Sequence, residues 1–358
     1  MKTVFLTKNP GCSRRALDLA RLSAYFSANE FEVVDNPKKA DYIIFVTCSF
    51  MKSKVDECIK KIKNFRKYNG EVIVLGCLPE IALSSLKKVH EGKYLSTKDI
   101  EEIDKYFPDF KIKLKDIPDS NYISSASVPS LKICSGCNDK CSYCAINRAI
   151  GELKSKSLKQ CKEEYLRLLG NNLYIDITAD NVGSYGLDIG SSFGKLLLEL
   201  DKISPNEIKW QIKELHPFWI IKYKKELLSL IKKGRIVCLQ SAIQSGSERI
   251  LSLMNRYNNL KEIEKTLLEF RLANPSLNLL TQVIVGFPTE SEEEFNMTLN
   301  SIKQLGFQSV QIFPYYDAEN TIASGIKEKV TKRIIKKRMK TAKKFAIKNN
   351  IKVLDIPN

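Results

Sequence analysis

Short apolar runs alternate with amphipathic stretches along most of this sequence, and that alternation constrains the fold more than any other feature. The apolar runs have the length of buried strands, and the stretches between them have the periodicity of helices. Strands separated by helices of this length are typical of parallel sheets with crossover connections. The strand-like runs are residues 3–6, 42–46, 71–75, 174–178, 207–212, 237–241, 279–285 and 309–313. The sequence therefore predicts an α/β protein.

The periodicity fades between residues 111 and 130, where two prolines and five serines interrupt the pattern. This composition is typical of a linker between domains, so we place a boundary near residue 128. Residues 1–127 are predicted to form a flavodoxin-like parallel-sheet domain. Residues 128–326 hold about six βα units, fewer than the eight of a closed barrel of about 250 residues, and are predicted to form a partial (β/α)6 barrel.

The positive charge of the chain is concentrated at one place. The 358 residues carry a formal net charge of +17, and residues 327–352 contain twelve Lys and Arg against the single acidic residue Glu328. We predict a basic C-terminal helix and tail over residues 327–358, which either binds phosphates or is a solvated surface. Its apolar face is predicted to consist of Val330, Ile334, Thr341, Ala342 and Phe345.

Composition excludes two classes of protein. No apolar run approaches the roughly 20 residues of a membrane-spanning helix, and the N-terminus has no long apolar region typical of a secretory signal. Ten cysteines in 358 residues are too sparse for a disulfide scaffold. We therefore expect a cytoplasmic protein without a membrane segment, whose cysteines are free thiols or metal ligands.

Three cysteines lie close together in one predicted loop, at Cys137, Cys141 and Cys144. Three thiolates can bind three irons of a 4Fe-4S cluster and leave the fourth iron open. An open iron can chelate the amino and carboxylate groups of S-adenosylmethionine (SAM), so that one electron cleaves a carbon–sulfur bond and releases a 5′-deoxyadenosyl radical. A structural zinc site with Cys134 as the fourth ligand is the alternative, although zinc motifs favour paired Cys-x-x-Cys units far apart.

Around this motif the sequence resembles the radical SAM methylthiotransferases, which replace a C–H bond with C–S–CH3 on transfer RNA or a ribosomal protein. The likeness extends over roughly residues 1–325. It is carried by the stretches 136–144 (GCNDKCSYC), 151–155 (GELKS), 180–186 (DNVGSYG), 244–247 (QSGS), 253–256 (LMNR) and 284–288 (IVGFP). The resemblance implies that one SAM methylates a sulfur attached to a second, auxiliary cluster. A second SAM then yields the radical that removes the substrate hydrogen.

The auxiliary cluster is expected at Cys12, Cys48 and Cys77. Each follows a predicted strand of the first domain, and the carboxyl ends of parallel strands meet at one edge of a sheet. The resemblance places ligands of the auxiliary 4Fe-4S cluster at the same three cysteines. The two clusters are expected to face one shared cavity.

The resemblance also suggests residues that contact SAM. Tyr143 occupies the position where the family places an aromatic or apolar residue beside the adenine, and loop packing is its alternative role. Gly286 permits a close approach of backbone to ligand. The turn that follows departs from the family pattern at Thr289, whose β-branched side chain disfavours positive φ, so the turn is expected to differ slightly. The remaining family positions that line the SAM and substrate side of the barrel are Asp180, Asn181 and Gln244.

Three functions remain open on sequence alone. The basic helix favours methylthiolation of a transfer RNA (tRNA). The stretch 185–190 resembles the branch of the family that acts on a modified adenosine next to the anticodon more than it resembles the ribosomal-protein branch. Methylthiolation of a protein or ribosomally made peptide is the first alternative, since the resemblance implies a further C-terminal RNA-binding β-barrel and this sequence stops at Asn358. A non-catalytic iron–sulfur or electron-transfer module is the second. Either reaction implies an electron donor such as flavodoxin or ferredoxin.

Overall fold

The computed structural model describes residues 1–10, 12–119, 128–170 and 172–354. The serine-rich part of the predicted linker, residues 120–127, lies outside the described residues. The chain divides into two compact units. The described residues of Met1–Ser127 and Ala145–Glu152 form the first unit, and those of Val128–Cys144 and Leu153–Ile356 form the second.

The two units contain three sheets. The strands are β1 (Thr3–Lys8), β2 (Glu32–Val34), β3 (Tyr42–Thr47), β4 (Glu71–Gly76), β5 (Tyr94–Ser96), β6 (Ser130–Lys132), β7 (Cys134–Ser135), β8 (Lys154–Ser155), β9 (Tyr174–Thr178), β10 (Lys209–Ile212), β11 (Ile236–Gln240), β12 (Asn278–Val285), β13 (Ser309–Pro314) and β14 (Lys352–Val353).

The helices connect these strands. They are α1 (Ser13–Ala28), α2 (Lys52–Phe65), α3 (Leu78–Ile81), α4 (Leu83–Lys87), α5 (Ile146–Ile150), α6 (Leu158–Leu169), α7 (Phe193–Asp201), α8 (Pro217–Lys222), α9 (Lys224–Lys232), α10 (Glu248–Leu253), α11 (Leu260–Ala273), α12 (Glu292–Gln304) and α13 (Lys332–Lys348). Short 3-10 helices lie at Pro37–Lys39, Ile100–Lys105, Leu114–Asp116, Val182–Ser184 and Ile322–Gly325.

The first unit contains a parallel sheet in the order β2-β1-β3-β4-β5. This is the strand order of the flavodoxin-like folds, so the predicted class of the N-terminal domain is confirmed. In β3 every residue after Tyr42 is buried, as expected for a central parallel strand covered by helices on both faces. Tyr25 and Phe26 of α1 pack with Val4 and Ile44 in the core of this unit.

The second unit is built on a seven-stranded parallel sheet in the order β14-β13-β12-β11-β10-β9-β6. Helices packed on one side of this sheet bury alternate strand residues such as Ile175, Trp210 and Ile312. The partial barrel predicted from the βα repeats is therefore confirmed. A two-stranded antiparallel ribbon, β7 with β8, flanks the loop that carries the cysteine motif.

Helix α13 forms where the basic helix is predicted, but its buried face differs from the prediction. The Thr331 side chain caps its first turn, and the residues buried in the helix are Arg338, Ala342 and Ala346. Ile334 is 39 % exposed and Thr341 is also exposed, so the predicted apolar face is wrong at these two positions. An ion pair of Arg338, described below, shifts the buried stripe away from them.

Within the described residues, no helix combines the length and apolar character needed to cross a membrane.

Candidate active site

Three adjacent strands of the first unit bring Cys12, Cys48 and Cys77 to the same edge of the sheet. Cys12 directly precedes α1 on the connection from β1, Cys48 directly follows β3, and Cys77 directly follows β4. Strands β1, β3 and β4 are neighbours. Cys48 and Cys77 are each only 4 % exposed, and the Cys77 N–H donates to the carbonyl of Thr47. The structure therefore assembles the trio of thiols predicted from the sequence.

The thiols of this trio influence one another electrostatically. A hydrogen bond with the Cys48 thiol lowers the pKa of Cys12 to about 5, and the positive charges of Arg14 and Arg15 contribute to the lowering. The same hydrogen bond, burial and the neighbouring Cys12 and Cys77 raise the pKa of Cys48 well above its usual range. The Cys12 thiolate therefore forms readily. When Cys48 and Cys77 also lose their protons, a nearby cation must compensate the added negative charge.

A buried arginine provides that compensating charge. Arg15 is 2 % exposed and pairs with Asp18 at 3.0 Å. Its guanidinium also donates to the hydroxyl of Thr97, and that oxygen lies 4.0 Å from the Cys77 sulfur. Sequence reasoning missed both Arg15 and Thr97, because Thr97 is distant in the chain and neither belongs to a recognisable motif.

The surroundings of Asn9 bear on whether an iron–sulfur cluster fits this edge of the first sheet. Its side chain is completely buried, and its Oδ1 accepts from the thiol of Cys58 at 3.1 Å. Cys58 also donates to the carbonyl of Cys48 at 3.4 Å. The Asn9 Nδ2 has no hydrogen-bond partner in the described part of the chain. Asn9 lies three residues before Cys12, and a buried donor in this loop can hydrogen-bond to a cluster sulfur, so the residues present fit a 4Fe-4S cluster.

Among the residues that the structure describes, no three His, Cys, Asp or Glu side chains are grouped as ligands of one metal ion. A cubane does not require such a group, since each thiolate binds a different iron.

In the second unit the loop with Cys137, Cys141 and Cys144 is fixed by the end of α10. The Ser142 N–H donates to the carbonyl of Met254 at 2.9 Å, and the Ser142 hydroxyl donates to the carbonyl of Leu253 at 2.7 Å. The side chain of Asn255 donates to the carbonyl of Lys140 at 2.8 Å. These contacts explain why the stretch 253–256 accompanies the cysteine motif.

Two polar side chains donate to the cysteine sulfurs of this loop. Arg256 Nη1 lies 3.5 Å from the Cys141 sulfur, and Asn181 Nδ2 lies 3.6 Å from the Cys137 sulfur. Asn181 also donates to Asp139 at 2.8 Å. Burial raises the pKa of Cys137 to about 12, so without metal this thiol holds its proton. Binding of iron would release the proton, and the donors would then stabilise the thiolate.

The remaining residues predicted to contact SAM lie at strand ends of the second unit. Asp180 and Asn181 follow β9, and the Asp180 carboxylate accepts from the N–H of Gly136 at 3.0 Å. Gln244 follows β11 with φ of 67°. Its Oε1, the Oδ1 of Asn181 and the Nε of Arg256 are buried without a hydrogen-bond partner among the described residues. Unsatisfied polar atoms at the carboxyl ends of barrel strands fit a polar ligand such as SAM.

Tyr143 packs against a small apolar cluster that includes Ile284 and Phe287. Burial raises the pKa of its hydroxyl. The loop-packing role is therefore observed, and contact with adenine stays a prediction.

The turn after β12 is more constrained than the sequence indicates. Gly286 has φ of 82°, and a Cβ at this position would clash with the side chain of Ile335 of α13. The close approach made by this glycine is therefore to the protein's own helix. Thr289 adopts φ of 68° despite its β-branched side chain. Arg249 holds it there by donating to its hydroxyl and to its carbonyl. Thr289 thus adopts the positive φ that its β-branched side chain disfavours.

A buried ion pair connects this turn to α13. The Glu290 carboxylate accepts from the Gly286 N–H at 2.7 Å and from Arg338 at 2.8 Å. Arg338 also pairs with Glu292 at 3.0 Å. Burial raises the pKa of Glu290 to about 7, and the two donors oppose that rise. Sequence reasoning missed this pair because Glu290 and Arg338 are far apart in the chain and their pairing has no local signal.

The face of the second sheet opposite its helices is lined with polar side chains. Lys213 pairs with Asp176 at 2.7 Å, and Asp176 Oδ1 has no hydrogen-bond partner among the described residues. Gln282 donates to Gln311 at 2.9 Å, and Gln240 lies 3.5 Å from the same oxygen. Burial raises the pKa of Asp176. This surface can hydrogen-bond a polar substrate.

Comparisons with known proteins agree with this geometry. Residues 4–95 match the family described as Uncharacterized protein family UPF0004, and residues 131–302 match the Radical SAM superfamily. A probable threonylcarbamoyladenosine tRNA methylthiotransferase of Pyrococcus horikoshii is 29% identical over 90% of this chain and 79% of its own length. The ribosomal protein uS12 methylthiotransferase RimO of Thermotoga petrophila is 29% identical over 92% of this chain and 80% of its own length.

Two solved structures share the fold. The radical SAM methyltransferase TsrM of Kitasatospora setae aligns with a TM-score of 0.64 at 14% identity, covering 87% of this chain and 73% of that one. The cobalamin-dependent SAM radical enzyme OxsB aligns with a TM-score of 0.60 at 12% identity, and the alignment covers 97% of this chain and 56% of OxsB. The fold, the cysteine loop and the matched families make the chain a radical SAM enzyme. It belongs to the radical SAM methylthiotransferase family.

Proposed function

We propose that this enzyme converts a substrate C–H group to C–S–CH3 with two 4Fe-4S clusters and two molecules of SAM. The observation that carries the proposal is the presence of two separate sets of three cysteines. Cys12, Cys48 and Cys77 would hold the auxiliary cluster, and Cys137, Cys141 and Cys144 would hold the cluster that reduces SAM. With only three protein ligands in each set, one iron of each cluster stays open.

The cluster that Cys137, Cys141 and Cys144 would hold would supply the electron for cleavage of SAM, and the cluster that Cys12, Cys48 and Cys77 would hold would supply the sulfur for methylthiolation. The protein orients and stabilises these groups. Arg256 and Asn181 donate to the sulfurs of Cys141 and Cys137, and Arg15 places a buried positive charge beside the auxiliary trio. The Gly286 turn, Tyr143 and Gln244 would hold SAM. We propose that flavodoxin or ferredoxin in the cytoplasm supplies the electrons.

The proposed substrate is a tRNA adenosine near the anticodon. The basic surface of α13 supports a polyanionic partner. The amides of Gln240, Gln282 and Gln311 both donate and accept, as recognition of an adenine edge requires. The Pyrococcus relative is named for a modified adenosine of tRNA, which supports the same choice.

A protein substrate is the second candidate. The Thermotoga relative is named for ribosomal protein uS12 and is equally identical to this chain. The Lys213–Asp176 pair can also orient a polar amino-acid side chain, so the polar sheet face alone does not separate the two substrates.

The experiment that tests the function is an anaerobic turnover assay. The reconstituted enzyme receives SAM, a reductant, and either unmodified total tRNA or ribosomal proteins. We expect a methylthio-adenosine in digested tRNA, with one S-adenosylhomocysteine and at least one 5′-deoxyadenosine formed per product. A methylthio group found only on protein would show that the substrate is a protein, the second candidate, and not tRNA. Cleavage of SAM without a methylthio product on either substrate would contradict methylthiotransfer.

A further inference from the structure

The outer surface of α13 carries a dense and regular set of cations. Eight Lys and Arg side chains of this helix are exposed, and the helix contains no Asp or Glu. We call this set the basic face. It consists of Lys332, Arg333, Lys336, Lys337, Lys340, Lys343, Lys344 and Lys348.

The spacing of the basic face is suited to a linear polyanion. Lys332, Lys336 and Lys340 are four residues apart, so they form one row along the helix. Five members of the face line a shallow depression of about 490 Å³. At a rise of 1.5 Å per residue the face extends for about 24 Å, which is long enough to contact several consecutive phosphates.

The described residues do not neutralise these cations. In the described parts of the chain no ion pair involves any member of the basic face, whereas Lys156, Lys162 and Lys213 of the same unit each pair with a carboxylate at 2.7 Å or less. Like charges at four-residue spacing destabilise a helix. A bound polyanion would relieve that repulsion and release its counterions, which makes such binding favourable.

The opposite side of the helix is fixed to the second unit. Arg338 pairs with Glu290 and Glu292, and Ala342 and Ala346 are each 1 % exposed. After the helix, β14 pairs with β13 at the edge of the sheet. The basic face is therefore held in a fixed position relative to the Gly286 turn.

We propose that the basic face is a docking surface for the phosphodiester backbone of an RNA substrate. The inference rests on the proposed tRNA substrate and adds where that RNA is held. An interfacial membrane helix needs a free apolar face, but the buried residues of α13 face the protein. Protein interfaces are centred on aromatic or apolar anchors, and the members of the basic face are all cationic.

The test compares tRNA binding by two triple variants of the full-length, reconstituted enzyme. The first is Lys332→Glu, Lys336→Glu and Lys340→Glu. The matched control is Lys60→Glu, Lys63→Glu and Lys67→Glu, which makes the same change in charge at exposed lysines of the first unit. Dissociation constants for bulk tRNA are measured by fluorescence anisotropy at several salt concentrations.

We expect the α13 variant to bind tRNA at least about tenfold more weakly near 0.1 M salt, with a log–log salt slope shallower by roughly 2, since each lost phosphate contact removes about 0.7. The control should bind like the wild type. Both variants should cleave SAM without substrate at the wild-type rate, which shows that the clusters and SAM site are intact.

Unchanged affinity and slope in the α13 variant would overturn the docking surface. An equal loss in both triple variants would also overturn it, because binding would then follow net charge alone. Displacement of tRNA by polyglutamate at equal charge concentration would show a general anion site instead of an RNA site. Failure of the proposed function is a different result: wild-type enzyme would bind tRNA but form no methylthio-adenosine.

Discussion

At the scale of single residues, polar groups from distant parts of the chain surround the cysteines of both units. Asn9, Arg15 and Thr97 lie at the first set, and Asn181 and Arg256 donate to sulfurs of the second. Each is buried or half-buried in a place where an unsatisfied polar group costs free energy. Their positions are explained if sulfur-rich, negatively charged clusters occupy the space beside them.

His216 gives a pH-dependent prediction at this scale. Its Nδ1 accepts from the Phe218 N–H at 3.0 Å and caps α8. Burial, with the charge of Arg256, lowers its pKa from 6.5 to about 2. Below pH 6.5, His216 therefore binds a proton in the unfolded chain but not in the folded chain. The contribution of neutral His216 to stability is complete above pH 6.5 and is lost as the pH falls toward 2.

The measurement is the free energy of unfolding of wild type and His216→Asn at pH 7.5 and pH 5.0, by denaturant under anaerobic conditions. Asparagine can accept the same capping hydrogen bond but does not titrate. Between the two values of pH, the wild type should lose up to about 2 kcal/mol more than the variant. Equal losses in the two proteins would show that His216 protonates normally in the folded state.

At the scale of secondary-structure elements, the sequence was informative where a pattern is local. Strands β1, β3 and β4 follow from their apolar runs, and the convergence of Cys12, Cys48 and Cys77 follows from strands ending at one edge. The buried stripe of α13 was partly mispredicted, because the partners of Arg338 lie in another element. The left-handed Thr289 was also unexpected, since the arginine that holds it is 40 residues away.

The ion pair between α13 and the turn after β12 gives a second prediction. Arg338 and Glu290 have side chains 6 % and 0 % exposed. Arg338→Met leaves the Glu290 carboxylate buried without its cation, so we expect a loss of about 3–5 kcal/mol in stability. The Gly286 turn should loosen with it, so SAM should also bind more weakly. Calorimetric unfolding and SAM titration measure the two effects.

Arg249→Met is the matched control, because the Arg249–Glu294 pair joins the same region but the Arg249 side chain is 53 % exposed. Loss of that pair should cost less than loss of the Arg338 pair, because Ser247 and the Ser291 N–H still donate to the Glu294 carboxylate. The double variant Arg338→Met with Glu290→Gln should recover part of the lost stability, since no buried charge remains unpaired. If Arg338→Met and Arg249→Met lost equal stability, the buried Arg338–Glu290 pair would not stabilise the protein more than the exposed pair does.

At the scale of the whole molecule, the sequence defined the two sheets, the two sets of cysteines and the family. The sheets follow from the alternation of apolar runs and helical stretches, and the family follows from the motif 137–144 together with the other stretches that resemble it. Cluster ligation by the two sets of cysteines stays a prediction. The lining of the second sheet was not predicted. Asp176 and Gln311 lie in β9 and β13, and Lys213 directly follows β10. Only the register of the sheet places them on one face.

The measurement that tests the two-cluster account most directly is iron and sulfide content with Mössbauer spectra under anaerobic conditions. It compares the wild type with the Cys12→Ala, Cys48→Ala, Cys77→Ala variant. A control variant replaces Cys134, Cys161 and Cys238, which are buried, with alanine. We predict about eight irons in the wild type and the control and about four in the first variant, the content of one cubane per three-cysteine site. About four irons in all three proteins would remove the auxiliary cluster and contradict the proposed mechanism.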